Sequence, residues 1–339
     1  MKKSLPIQVS PPIHGYPRHG YRLSIMSLQD DYIPWFFCNY IQLFAVDLLQ
    51  ESKHNIRFNF YFQGPYSPPW LSIYTVPRRL IAKVYHQIVP FIRDQIDEGF
   101  YVQLMADEYF LPHTPFYEKI HHPHAIMVFG YDDDTETLET LGFNSARDYS
   151  VSRVGYSDFE AAFRWIDPEK RRSYLVTLFE YNEDGVYEFD IDAVIDQLRA
   201  YVHSENPSIH YRTLRKPVEG VFGMATYKLL RDYFTHLFVH PRLWDRRHLF
   251  TLWEHKRCML NRLAYLEERG YLRRSDQFHQ AYKEVEQKAH QIHLMMLKLR
   301  ALVEVKRAWD MDRILKIITL LDDISQREER ILKDVLKAL

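Results

Sequence analysis

The pattern of hydrophobic and polar positions changes near residue 220. Before that point, short apolar or alternating runs stand between turn residues, which is typical of strands mixed with helices. The predicted strands cover residues 55–63, 101–110 and 173–181, and helices are predicted over 77–97, from Ser157 onward and over 190–203. After that point turn residues are rare, and long helices are predicted near 222–238, 243–269, 276–306 and 310–337. The chain should therefore be α+β, with an antiparallel sheet in a first domain over 1–210 and a helical domain over 211–339.

The third of these long helical segments carries an apolar stripe. Its members recur three or four positions apart, at Val285, Ala289, Ile292, Met296, Leu299 and Val303. Residues at this spacing share one face of a helix, and that face must be buried against a neighbour. The stripe therefore predicts the core of a helical bundle rather than a cofactor site.

One stretch of the first domain forms a predicted hairpin with polar residues at its outer ends. His124 begins an apolar run that reaches Tyr131, and a second run ends at Asn144. The residues 132–136 between them are the turn. If five residues form this loop, Tyr131 faces Thr137, and counting outward along an antiparallel ladder sets His124 opposite Asn144. Cross-strand partners have Cβ atoms about 4.5–5.5 Å apart, so these two polar side chains should meet.

A histidine oriented by a carboxamide is half of a catalytic set, and the chain holds two cysteines as candidate nucleophiles. Cys258 lies within a long helical pattern and is expected to be structural. Cys38 follows acidic residues and a proline that mark a helix start, so it should lie in about the first turn. Backbone N–H groups there favour a thiolate and can hold an oxyanion. Cys38, His124 and Asn144 are therefore the predicted catalytic triad.

Two other interpretations of these residues stay open. Because Cys38 is flanked by aromatic residues, it could instead fill the core, which is the commoner fate of a cysteine. The cluster of His113, His121, His122 and His124 could bind zinc, since neutral imidazoles are good zinc ligands. No Cys-x-x-Cys or His-Glu-x-x-His spacing accompanies the cluster, however, and we predict no metal site and no directly bound cofactor.

Two segments resemble a known family. Asp107-Glu108-Tyr109-Phe110-Leu111-Pro112 and the run from His124 through Gly130-Tyr131-Asp132-Asp133 are similar to motifs of the butirosin-biosynthesis acyltransferases. The resemblance covers roughly residues 14–205. It implies a papain-like fold related to the bacteriocin-processing cysteine peptidases, with Cys38 as nucleophile, His124 as catalytic histidine and Asn144 where the family often has aspartate. It also implies an acyl donor held as a thioester on the phosphopantetheine of an acyl carrier protein or peptidyl carrier domain, and an amine acceptor that is a small molecule or a peptide.

Composition is compatible with such an enzyme. The chain has 339 residues, 46% hydrophobic and 26% charged, and a formal net charge of −1, so no overall field attracts nucleic acid or an anionic membrane. Two distant cysteines argue against a disulfide framework, and no signal core or membrane-length apolar run is present in the sequence. We therefore expect a cytoplasmic location.

Three function classes follow from these observations. The leading one is a cysteine acyltransferase of natural-product biosynthesis, in which Cys38 attacks the thioester and an amine resolves the acyl-enzyme. A cytoplasmic peptidase or amidase would use the same residues, with water or a peptide as acceptor. A binding module could keep the fold without the chemistry. Basic pairs that could attract an acidic carrier protein occur at Arg78-Arg79, Arg171-Arg172, Arg246-Arg247 and Arg273-Arg274.

Overall fold

The chain is made of two compact units. The structure, a computed structural model, describes residues 1–51, 55–62, 68–167, 174–213, 216–237, 244–306 and 310–339, with the backbone alone for 300–306. Unit 1 comprises Met1–Tyr32 and Ser67–Tyr187, and unit 2 comprises Ile33–Tyr66 and Glu188–Leu339. These bounds differ from the predicted 1–210 and 211–339, because strand pairing joins residues 43–60 to the second half of the chain.

The helices and strands are labelled in chain order. They are β1 (Lys2–Ser4), α1 (Pro17–Met26), α2 (Ile33–Asn39), β2 (Leu43–Leu48), β3 (Asn55–Phe60), β4 (Leu71–Pro77), α3 (Arg78–Ile81), α4 (Ile88–Asp97), β5 (Tyr101–Asp107), β6 (Pro123–Asp132), β7 (Thr137–Phe143), β8 (Tyr149–Gly155), α5 (Tyr156–Trp165), β9 (Leu175–Tyr181), α6 (Ile191–Val202), β10 (Val221–Phe222), α7 (Thr226–His236), α8 (Arg247–Glu268), α9 (Phe278–Lys306) and α10 (Met311–Ala338).

Unit 1 is organised around an antiparallel sheet. Within the described residues its strands run in the order β4-β9-β5-β6-β7-β8, and β1 pairs with β6. Helix α4 buries Ile88, Ile92 and Ile96, which recur at every fourth position, in the same core as residues of β5 and β6. The N-cap residue of α4 forms no capping hydrogen bond, and the Glu160 side chain from α5 accepts from Val89 N at 2.7 Å instead. The two helices are thereby fixed to each other as well as to the core.

Unit 2 combines a small sheet with the long helices. Its strands pair in the order β10-β2-β3. The predicted stripe on α9 is confirmed as core, since Val285, Ala289, Ile292 and Leu299 are fully buried and Met296 is nearly so. Val303 lies outside the residues whose side chains are described.

The predicted α+β class is confirmed, as are the antiparallel sheet and the C-terminal helices. One predicted helix is interrupted: the segment 77–97 forms α3 and α4, with residues 82–87 between them outside any helix. The N–H of Ala82 still donates to the carbonyl four residues earlier, that of Arg78. The N–H groups of Lys83 and Val84 donate instead to the carbonyls of Leu80 and Ile81, three residues earlier, and α3 ends there. The predicted element ends at 63, 173, 238 and 243, and the pair Arg171-Arg172, fall outside the described residues.

Candidate functional site

The candidate site in unit 1 is a histidine held by a carboxylate. His124 is the second residue of β6, and its Nδ1 lies 2.8 Å from Oε1 of Glu108. Glu108 reaches it because β5 and β6 are antiparallel, with Asp107 opposite Pro123, and Glu108 directly follows β5. The Glu108 side chain is 9% exposed and that of His124 is 34% exposed. A neutral imidazole that donates through Nδ1 to a carboxylate carries its lone pair on Nε2, so His124 can act as a general base from a site that solvent reaches.

A second histidine–carboxylate pair organises the loop that carries Glu108. The Asp107 carboxylate is fully buried and accepts from Tyr109 N at 3.0 Å, from His122 N at 2.8 Å and from His121 Nδ1 at 2.8 Å. The His121 ring stacks on Tyr109 and on Trp165, with centroids 4.3 and 4.1 Å apart. Asp107 therefore ties both ends of the loop 108–122 together and limits the movement of Glu108 relative to β6.

A small cavity adjoins the pair. It has about 10 Å³ of space, and its walls include Glu108, His113, Thr114 and His124. Such a volume is at the lower limit for one water molecule. His113 Nδ1 is buried and has no hydrogen-bond partner among the described residues, and burial lowers the pKa of His113 despite the nearby Glu108. His113 is therefore a neutral wall of the cavity and not a second charged group.

Asn144 forms hydrogen bonds within the turn that follows β7. Its Oδ1 accepts from Asp148 N at 2.9 Å and its own N–H donates to Asp148 O at 3.0 Å, so it stabilises the turn between β7 and β8. Among the described residues no hydrogen bond joins Asn144 to His124. The residue that orients His124 is Glu108, a role that the sequence argument assigned to Asn144. Sequence offered one clue to it, since Glu108 stands in the segment that carries the family resemblance.

The predicted hairpin register is wrong by one residue next to the turn. Tyr131 pairs with Leu138 instead of Thr137, and beyond a β-bulge between Val128 and Gly130 the pairs Val128–Thr140 and Met127–Leu141 have the predicted register. The last pair of the ladder on this side is Met127 with Leu141, so the ladder ends before it reaches His124. The sequence does not reveal this bulge, because the extra residue lies within a continuous apolar run.

Cys38 lies in the last turn of its helix and not in the first, which corrects the sequence prediction. Residues 30–32 form a separate 3₁₀ turn, so α2 begins at Ile33 and Cys38 is its sixth residue. The thiol is 1% exposed. It donates to Asp190 O at 3.6 Å and accepts from Asp190 N at 3.4 Å, where Asp190 is the N-cap of α6. Cys38 thus joins α2 to the start of α6 within unit 2, and its approach to His124 of unit 1 stays a prediction.

Cys258 matches the prediction of a structural cysteine. It is 2% exposed on α8, and burial raises the pKa of its thiol to about 12. Both cysteines of the chain are free and both belong to unit 2. Unit 1 therefore contains the histidine–carboxylate pair but no thiol of its own.

Helix α1 supplies the side chains next to the strand of His124. The Tyr21 hydroxyl donates to Ala125 O at 2.7 Å. Tyr149 packs closely against one turn of α1. A Cβ atom added at Gly20 would lie 3.0 Å from the Tyr149 hydroxyl, and Ser24 Oγ lies 3.2 Å from the same hydroxyl. Burial raises the pKa of both tyrosines well above the ordinary value of 10, so neither hydroxyl is a ready nucleophile. This part of α1 fixes β6 in place and does not add an activated group.

The basic pairs differ in what they can offer a partner. Arg78 is buried, and its guanidinium donates to Phe163 O at 2.7 Å and to Ile166 O at 3.1 Å, which satisfies the C-terminal carbonyls of α5. Arg247 is paired with Asp245. Arg273 and Arg274 are exposed and form no ion pair with a described residue. Of the described pairs, the last is the most available to an acidic protein.

Two further findings concern metals and membranes. Within the described ranges, no three His, Cys, Asp or Glu side chains are grouped so as to hold a metal ion. No helix in the same ranges is both long enough and apolar enough to cross a membrane.

No protein-family profile matches this chain, and no curated protein matches it.

Proposed function

We propose that this protein transfers an acyl group from a carrier-bound thioester to an amine, with His124 as the general base and Glu108 as its orienting carboxylate. The observation that carries the proposal is the 2.8 Å contact between His124 Nδ1 and Glu108 Oε1 at a partly exposed strand end. It is the same base-plus-orienting-group arrangement that activates nucleophiles in many acyl-transfer enzymes. The segments that resemble the butirosin acyltransferases, 107–112 and 124–133, are the ones that form this pair. On that basis we propose unit 1 as a papain-like fold.

The chemistry needs one proton acceptor beside the amine. The amine nitrogen attacks the thioester carbonyl while Nε2 of His124 takes its N–H proton, and Glu108 stabilises the imidazolium that forms. The tetrahedral intermediate then expels the phosphopantetheine thiolate, and the imidazolium returns the proton to that sulfur. A C–N bond replaces a C–S bond, and the products are an amide and a free thiol. No other reactant is required.

The surroundings of Cys38 support one of two routes for this transfer. In the route with an acyl-enzyme, Cys38 accepts the acyl group first and the amine attacks afterwards. The thiol is buried, exchanges hydrogen bonds with the backbone N–H and carbonyl of Asp190, and lies in the last turn of α2 instead of at its N-terminus. These observations favour direct attack by the amine on the carrier-bound thioester, with Cys38 as a structural residue.

A thiol-release assay tests the proposal and the route together. Acyl groups of different length would be presented on phosphopantetheinylated carrier proteins and as N-acetylcysteamine thioesters, with a panel of amines including amino acids. Free thiol and amide product would be followed by colorimetry and mass spectrometry. His124→Gln should lower the rate by about 10²–10⁴-fold, the usual contribution of a positioned base. Cys38→Ala should retain activity in the direct route.

Three results would count against this interpretation. An acyl adduct on Cys38 that disappears in Cys38→Ala, together with loss of activity, would show the acyl-enzyme route. Hydrolysis of peptides or amides without carrier-dependent transfer would show the peptidase or amidase. No thiol release above that of His124→Gln, across all donors and amines, would refute acyl transfer.

A second candidate is a binding module that holds a carrier protein without chemistry. The observation in its favour is the size of the cavity beside His124, which at about 10 Å³ admits no acyl chain. This candidate predicts saturable binding of an acyl carrier protein that is unchanged in His124→Gln, with no release of thiol. Calorimetric titration of both proteins with the same carrier distinguishes it from the enzyme.

A further inference from the structure

We propose that a cavity between α4 and α5 of unit 1 binds a small monoanion with an apolar body. Its volume is about 460 Å³, within the roughly 300–1,000 Å³ that small-molecule sites occupy. The apolar part of the wall is formed by Val89, Pro90, Ala161 and the ring of Tyr156. None of its lining residues also lines the cavity beside His124. The proposal is therefore independent of the acyl-transfer function.

Three polar residues of this cavity already have hydrogen-bond partners. Arg93 donates to Asp133 Oδ2 at 2.8 Å, and the Tyr156 hydroxyl donates to Asp133 Oδ1 at 2.8 Å. Glu160 accepts from Val89 N at 2.7 Å. The charge of Arg93 is thus offset by Asp133, and one oxygen of Glu160 accepts from the first turn of α4, where the positive end of the helix dipole offsets part of its negative charge. These bonds also hold the wall in one arrangement, so that a ligand need not order it.

Arg164 differs from these groups. It lies on α5, is exposed, and forms no hydrogen bond or ion pair with any residue that the structure describes. Arg164 therefore contributes a guanidinium group to the cavity wall, and this group has no partner among the described residues. A guanidinium next to an apolar surface suits a carboxylate or another single anion attached to a hydrocarbon or aromatic group. The chemistry that would recognise the site is therefore that of an aryl or alkyl carboxylate.

Calorimetric titration with 2-naphthoate tests this site, because 2-naphthamide has the same ring system without the charge. We expect saturable binding of the carboxylate and binding of the amide that is about 3- to 10-fold weaker, the range for a charge-assisted contact that solvent partly screens. Arg164→Gln should weaken naphthoate by the same factor and leave naphthamide unchanged. Arg79→Gln, which removes an exposed arginine that does not line the cavity, should change neither.

A steric variant separates the cavity from the rest of the surface. Ala161→Trp places a large ring in the apolar wall and should abolish binding of both probes, while circular dichroism and the melting temperature report whether the variant is folded. The proposal is overturned if naphthoate fails to bind saturably to the wild-type protein. It is equally overturned if the carboxylate and the amide bind alike, or if a folded Ala161→Trp variant binds as the wild type does. Thiol release from acyl donors is not read in this experiment, so its outcome leaves the acyl-transfer proposal untouched.

Discussion

Replacing Lys256 with methionine should destabilise unit 2 strongly. Lys256 of α8 and Glu328 of α10 are both fully buried, and Nζ lies 2.9 and 2.7 Å from the two carboxylate oxygens. The hydroxyls of Tyr201 and Tyr227 also donate to this carboxylate, at 3.2 and 2.7 Å, and so does that of Tyr282. Methionine fills nearly the same volume but provides no charge and no donor. The variant therefore leaves a buried carboxylate without its cation.

The size of the effect follows from what remains around Glu328. Removal of one partner of a buried ion pair costs about 3–5 kcal/mol of the free energy of unfolding, because the other charge stays buried. Three tyrosine hydroxyls still donate to Glu328, and hydrogen bonds to a charged group contribute about 1.5–3 kcal/mol each. We therefore expect a loss of about 3 kcal/mol, at the lower end of the range. Lys256→Met combined with Glu328→Gln should cost about 2 kcal/mol less than the sum of the single variants.

Hydrogen exchange is the suitable assay, since a chain with two units need not unfold in a single step. Exchange of α8 and α10 peptides in urea, followed by mass spectrometry, gives the free energy of opening of this part of unit 2. Lys333→Met is the matched control, because Lys333 pairs with Glu329 on the exposed face of α10 and should cost less than about 0.5 kcal/mol. A Lys256→Met cost below 1 kcal/mol, or single-variant costs that simply add, would refute the argument from burial.

Three further predictions address the candidate site, Cys38 and one buried histidine. In the thiol-release assay Glu108→Gln should slow turnover by about 10²–10⁴-fold, because it removes the charge that stabilises protonated His124. Asn144→Ala should change the rate by less than about threefold. An equal loss of rate in both variants would contradict the assignment of the orienting role to Glu108. Cys38 should resist iodoacetamide at pH 7 until urea is added, and rapid labelling in the native protein would contradict its burial. Burial lowers the pKa of His248 to about 4, so on acidification the unfolded chain binds a proton at a higher pH than the folded chain does. The free energy of unfolding should therefore fall by up to about 3 kcal/mol as the pH is lowered from 6.5 to 4. In urea titrations His248→Gln should remove one proton from this pH dependence.

Features of this protein that depend on local periodicity were predictable. The stripe on α9 needs only that apolar residues recur at helical spacing, and five of its six members are buried as expected. The strand predicted over 101–110 was identified, although it ends at Asp107, and so was the hairpin that follows, because alternation and turn residues are properties of short segments. The same holds for Cys258, which a long helical pattern places in the core.

The start of α2 was harder to predict. Acidic residues followed by a proline indicate that a helix begins nearby, and they do not say whether the first turn is α or 3₁₀. Here residues 30–32 form a 3₁₀ turn and α2 runs only from Ile33 to Asn39, so Cys38 is the sixth of its seven residues. In so short a helix the thiol lies in the last turn, at the negative end of the helix dipole instead of the positive end. The chemical expectation for Cys38 depended on a boundary that local sequence defines only to within a few residues.

The sequence by itself determined that His124 begins a buried strand and that carboxylates lie near it along the chain. Only the tertiary structure decided which group orients the histidine. Pairing of Asp107 with Pro123 brings Glu108 to Nδ1 of His124, and the ladder between β6 and β7 ends at Met127 and Leu141, before it reaches His124 and Asn144. Both depend on strand register, which is set by the packing of the whole sheet and by the length and shape of its loops. Hydrophobic pattern specifies which face of a strand is buried, and register then decides which polar groups at its end come into contact.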